Sequence, residues 1–208
     1  MKTIAFACAA LALSLSPALA QDKSAPAKVD RAVFDKMLAD GFAKAPEDWR
    51  KKMELDETQR VCTETRNQPS NAQSAAVMER EAKAVKFPAD GKYLGDMKAG
   101  HKVANTGTGG QFTDKPGTYV GGNCYACHQM DPKEVSYGTL GPSLAGYGRE
   151  RNYDPEVIRD TWIKIYNSQA VVACSNMPRF GHAKVLTIDQ IKDVMAYLFD
   201  RQSPVNQP

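Results

Sequence analysis

Five residues in the middle of the chain, Cys124-Tyr125-Ala126-Cys127-His128, set two thiols and an imidazole at a spacing that few chemistries use. Thiols at this spacing can add across the two vinyl groups of one porphyrin. The histidine directly after the second thiol is then held beneath the iron as an axial ligand, which is the pattern of covalent haem c attachment. Two other readings use the same thiols: a redox-active pair, or half of a zinc site. The first leaves His128 without a role, and the second needs two further Cys or His ligands at similar spacing. The chain has only five cysteines and three histidines in 208 residues. The expectation is therefore one covalently bound haem c, tied through Cys124 and Cys127 and ligated by His128.

An iron held by one histidine needs a sixth ligand or keeps an open site, and that choice separates an electron carrier from a catalyst. Met177 is the best-placed candidate. It lies 49 residues after His128, in the loop Ser175-Asn176-Met177-Pro178-Arg179-Phe180-Gly181. Pro178 disfavours helical backbone at Met177, so the thioether projects from extended chain; the competing reading is a methionine filling a core gap. His182 is the rival ligand. His101 reads as a surface residue of a helix, Met195 as core, and Met130 is too near His128 to cross a porphyrin. Arg179 is a candidate partner for a haem propionate, with a plain exposed arginine as the alternative.

Cys8 falls in an N-terminal leader, so two cysteines remain. Cys62 and Cys174 form an even pair in an exported chain, which favours a disulfide. Two unrelated buried thiols, or a reactive or iron-ligating Cys174, are the alternatives. A bond would tie the N-terminal third of the chain to the loop that carries Met177.

The elements that position these groups read as helices. Asp30 opens a helix with Val33, Phe34, Met37 and Leu38 on one face, stopping near Gly41. Pro46, Glu47 and Asp48 start a second, residues 56–66 a third, and Asn71 caps a fourth that runs to Phe87 before Pro88. A short helix follows Asp96, then a Gly- and Thr-rich loop to Gly122, then one helical turn over the Cys-His motif. Residues 138–146 are extended. Asp154 caps a helix with Pro155 at its first position, ending around Asn167. Thr187 opens the last helix, with a capping box to Gln190 and an apolar stripe of Ile188, Ile191, Val194, Met195 and Leu198. Strand patterns are weak, and the fold is expected to be mainly α.

A basic start, a short apolar run and Ala18-x-Ala20 ahead of Gln21 make residues 1–20 a secretory signal peptide, cleaved after Ala20. The run is too short to span a bilayer, and Gln21 stands where a lipid-anchored chain would need cysteine. Export to the periplasm suits haem c attachment. The formal charge of +3 becomes +2 once Lys2 leaves with the leader, which gives no case for nucleic acid. Three parts follow: the leader 1–20, a helical extension 21–91 poor in large apolar residues, and a haem domain 92–208.

The stretches Gly122-Asn123-Cys124-x-x-Cys127-His128, Gly138-Thr139-Leu140-Gly141-Pro142-Ser143-Leu144-Ala145-Gly146-Tyr147-Gly148 and Ser175-Asn176-Met177-Pro178-Arg179-Phe180-Gly181-His182 together resemble SoxX. That family supplies the c-type cytochrome subunit of the SoxAX complex of bacterial sulfur oxidation. The resemblance covers roughly residues 95–205 and leaves the 21–91 extension outside. It implies a class I cytochrome c fold with His128 and Met177 as axial ligands, and the Pro142 carbonyl accepting a hydrogen bond from the second ring nitrogen of His128. It implies a heterodimer with a SoxA-like cytochrome, acting as an L-cysteine S-thiosulfotransferase whose catalytic cysteine lies on SoxA. Electrons released when thiosulfate is joined to a SoxYZ-like carrier would pass to a soluble cytochrome c. A free-standing electron shuttle is the other reading. Such shuttles often ring the haem edge with lysines for steering, and between Cys124 and Tyr147 there is only Lys133.

Overall fold

The computed structural model describes residues 30–207; the leader, its cleavage point and Cys8 lie outside them. The described residues fall into two units, 30–44 and 45–207. All regular elements among them are helical, and none of these helices is long and apolar enough to cross a membrane.

The first unit is α1 (Arg31–Gly41). The Asp30 carboxylate accepts from the Ala32 and Val33 N–H groups, and Arg31–Asp35 and Lys36–Asp40 pairs line the exposed side.

In the second unit, α2 (Glu47–Lys52) has acids in its first turn and bases in its last, as the helix dipole favours. α3 (Glu57–Glu64) is opened by a capping box between Asp56 and Gln59. α4 (Asn71–Lys83) is capped one residue earlier than the sequence suggests. Ser70 exchanges hydrogen bonds with Gln73, and Asn71 is already helical. This helix also stops at Lys83 rather than Phe87. The Lys86 carbonyl accepts from the Trp162 indole N–H at 2.9 Å, and Pro88 removes the next donor.

The core is built where α5 (Met97–Asn105) crosses α8 (Ile188–Phe199). The two backbones nearly touch: a Cβ on Gly100 would lie 1.9 Å from the Asp193 carbonyl oxygen. The Gly95 N–H donates to the Lys192 carbonyl at 2.9 Å. Around the crossing Val103, Met130, Trp162, Ile191, Met195 and Tyr197 are fully buried. α7 (Pro155–Tyr166) supplies Trp162, Ile165 and Tyr166 to the same core. A short α6 (Tyr147–Glu150), between the extended run and the helix that Asp154 caps, is held by the C-terminal tail. The Asn206 side-chain carbonyl accepts from the Gly148 and Arg149 N–H groups. The result is a mainly α fold of the class I cytochrome c type.

Candidate functional site

Cys124–Ala126 forms one 3-10 turn, with Asn123 in the left-handed region (φ 49°) at its start. The turn hangs from the end of α5, because the Gly122 N–H donates to the Val103 carbonyl at 2.8 Å and the Asn123 N–H to Thr106 at 3.1 Å. The His128 N–H closes the turn onto the Cys124 carbonyl at 3.0 Å. Beside it residues 138–144 run extended, fastened by three backbone bonds: Gly138 to Tyr125, Gly141 to Cys127 and Leu144 to Gln129, at 2.7–2.9 Å. This register carries the Pro142 carbonyl to 2.7 Å from His128 Nδ1. A carbonyl only accepts, so Nδ1 carries the proton and Nε2 keeps its lone pair for a metal. Gly141 cannot hold a side chain, since a Cβ there would stand 2.1 Å from His128 Cε1.

Cys124 and Cys127 are unbonded and partly buried. Burial pushes the Cys124 thiol up to about 12, the opposite of what a reactive Cys-x-x-Cys pair needs. Among the described residues no group of three or more His, Cys, Asp or Glu side chains is placed to hold a metal ion, so no zinc cluster completes the motif. Two free thiols on one turn, an imidazole oriented through Nδ1 and a glycine-lined wall against the ring together fit a covalently attached haem. His128 would hold the iron, and Cys124 and Cys127 the porphyrin.

Met177 is half-buried and packs against the core. The Ser168 hydroxyl donates to its carbonyl, and its own N–H donates to Ser175 Oγ at 3.2 Å. The other candidate ligands are occupied elsewhere. Met130 and Met195 are fully buried core residues. His101 is exposed on α5 and stands edge-on to Tyr197 at 5.2 Å. His182 Nδ1 lies 3.5 Å from the Asn167 amide nitrogen and 3.9 Å from a Glu81 oxygen. Cys62 and Cys174 are joined in a disulfide, Cα to Cα 5.3 Å, which ties α3 to the loop three residues before Met177.

Arg179, the candidate propionate partner, is engaged within the protein. Its guanidinium is taken by Asp56 Oδ2 at 2.5 Å and Glu81 Oε2 at 3.2 Å, and its side chain is only 9% exposed. These carboxylates neutralise the cation where it is buried. Around Glu81, which is 3% exposed, Thr58 donates its hydroxyl and Asn167 its amide at 2.7 Å. Asp56, Thr58, Glu81, Asn167 and Ser168 are the residues the sequence reading misses. One signal was present: Glu81 follows Val77 by four residues, placing an acid on the buried face of α4.

The two carboxylates set an acid limit on the fold. Burial pushes both upward, but for Asp56 the Gln59 N–H and Arg179, and for Glu81 the bonds from Thr58 and Asn167 and the charge of Arg179, outweigh it. Both end below their ordinary values of 3.8 and 4.5. A depressed folded-state value stabilises fully above the unfolded value and is lost as pH falls through the folded one. Thermal unfolding midpoints should therefore hold from pH 7 to about 5 and drop steeply below about 4. The drop should be shallower in Asp56→Asn. A midpoint equally flat down to pH 3 in the parent protein would contradict this.

The Cytochrome c family model matches residues 117–201, the span from the loop before the Cys-His motif through α8. An uncharacterized lipoprotein of Aquifex aeolicus (strain VF5) is similar over 154 residues at 38% identity, covering 73% of this chain and 73% of its own length.

Proposed function

Residues 117–201 form a cytochrome c domain, and from that premise we propose that the chain is the exported electron-transfer subunit of a SoxAX-type complex. The chain carries covalently bound haem c, which supplies one-electron chemistry. In this reading His128 and Met177 would hold the iron, and Cys124 and Cys127 the porphyrin. The observation that carries an electron-transfer role is the fastening of both ligand segments. The Pro142 carbonyl fixes the His128 ring, while Ser168 and the Cys62–Cys174 bond hold the Met177 loop. Ligands that do not move between oxidation states suit a closed site that passes electrons and binds no substrate.

The SoxAX assignment is supported by the three motif stretches and by the surface beside His128. The loop leading to Pro142 exposes Val135, Tyr137 and Leu140, with Val135 and Leu140 at 102% and 90% exposure, and its one lysine is Lys133. Apolar side chains with little charge suit a lasting partner better than brief electrostatic encounters. The partner is a SoxA-like cytochrome. There the thiol of a SoxYZ-like carrier and thiosulfate form one S–S bond, releasing a proton and two electrons. This chain takes those electrons singly and delivers them to a soluble cytochrome c. The reading places the chain in the periplasm, where haem c is attached; the similar Aquifex protein bears the name lipoprotein.

Co-expression with a SoxA-like cytochrome tests the reading. The two should co-elute as a heterodimer, and thiosulfate with a SoxYZ-like carrier should reduce the haem of this chain only when the SoxA-like subunit is present. A chain that stays monomeric beside SoxA, and is reduced no faster with it, would favour the free-standing shuttle instead.

A further inference from the structure

We propose that Glu81, on α4, is the positioning residue for the Met177 ligand, through its grip on both ends of the loop 167–182. The proposal rests on Met177 being that ligand. Every strong partner of this buried carboxylate comes from another segment. At the start of the loop the Asn167 amide donates to Glu81 Oε2 at 2.7 Å and to the Glu81 backbone carbonyl at 3.2 Å. The next residue, Ser168, holds the Met177 carbonyl. On the far side Arg179, two residues past Met177, reaches the same carboxylate at 3.2 Å, and His182 approaches within 3.9 Å. Thr58 on α3 donates to the other oxygen.

A carboxylate 3% exposed is a poor source of stability, since desolvation offsets most of what its partners return. What such a group provides is geometry. Its lone pairs are filled by donors of fixed direction, and two of those donors flank Met177 in sequence on either side. Glu81 lies outside the 117–201 match to the family model, so the segment 45–91 supplies a part of the haem site that the matched region lacks.

The test uses the full-length holoprotein with Glu81→Gln, Asn167→Ala and, as reference, Met177→Ala. Three signals are followed: the weak long-wavelength absorption of Met–Fe(III), the rate of cyanide binding to the oxidised protein, and amide hydrogen exchange. Glu81→Gln should lose the band at temperatures where helical circular dichroism is still that of the parent. It should bind cyanide about tenfold faster or more, the scale of one lost charge-assisted hydrogen bond. Exchange should rise in 168–182 and stay as in the parent across α5 and α8. Asn167→Ala removes only one end of the grip and should move the same signals less, which serves if Glu81→Gln folds poorly. A band and cyanide rate matching the parent, or exchange raised evenly over the whole unit, would make Glu81 a general stabiliser and overturn the proposal. Survival of the band in Met177→Ala would overturn the ligand reading itself, and with it the positioning role.

Discussion

Replacing Met177 by alanine should abolish the weak long-wavelength absorption of the oxidised protein while the haem stays attached. Attachment depends on Cys124 and Cys127, which are untouched. The proximal side depends on His128 and its 2.7 Å contact to Pro142, also untouched. The reduced protein should then bind carbon monoxide rapidly at neutral pH, where the parent resists it. The reduction potential should fall, because a thioether favours the reduced iron and its loss removes that preference. Met177 is half-buried and packs on the core, so truncation should cost about 2 kcal/mol, the low end for such changes. The fold should survive. His182→Ala is the paired control: its Nδ1 faces Asn167 and Glu81, so the band should persist. A parent protein without the band, opened to carbon monoxide by His182→Ala and not by Met177→Ala, would exchange the two assignments.

Some of this architecture is legible in the sequence because it is written in local chemistry. Asp30, Asp154 and Thr187 announce helix starts by side-chain geometry that spans three residues. The Cys-His motif reads the same way, since one turn of chain contains all its donors. The extended run 138–144 beside the motif is foreshadowed by Gly138, Gly141 and Pro142, which cannot build a helix. Contacts made across long sequence distances are not legible. Glu81 and Arg179 are 98 residues apart, and nothing near either names the other. Arg179 therefore reads as an unpaired cation until Asp56 and Glu81 are seen around it. The tail is hidden for the same reason: Asn206 holds α6 through bonds 57 and 58 residues long in sequence. Close approach is legible only in part. Gly100 and Gly141 are visible as glycines, but only the backbone of α8 and the ring of His128 explain why no side chain fits.

Removing the Cys62–Cys174 bond should cost the fold a large share of its stability. The bond closes a separation of 112 residues, and in the chain-entropy account freeing a loop of that length costs about 4–5 kcal/mol. Small domains hold only about 5–15 kcal/mol in total. Cys62→Ala with Cys174→Ala should therefore lower the unfolding midpoint by roughly 10–20 °C. Alanine is the right replacement, since both sites are buried and a serine hydroxyl there would want a partner. A dithiol reductant acting on the parent should give the same shift with no change of sequence. It cannot touch thioether links to a haem, so attachment is a constant between the two experiments. Cys174 also sits at φ 56°, a region where a side chain is strained by about 1–3 kcal/mol and persists only when its surroundings impose it. Cys62→Ala with Cys174→Gly should accordingly regain part of the loss, a rescue that a purely covalent role for the pair would not produce. If the double alanine variant instead melts within about 1 kcal/mol of the parent, the loop that carries Met177 is held by Glu81, Asn167 and Arg179 without the bond.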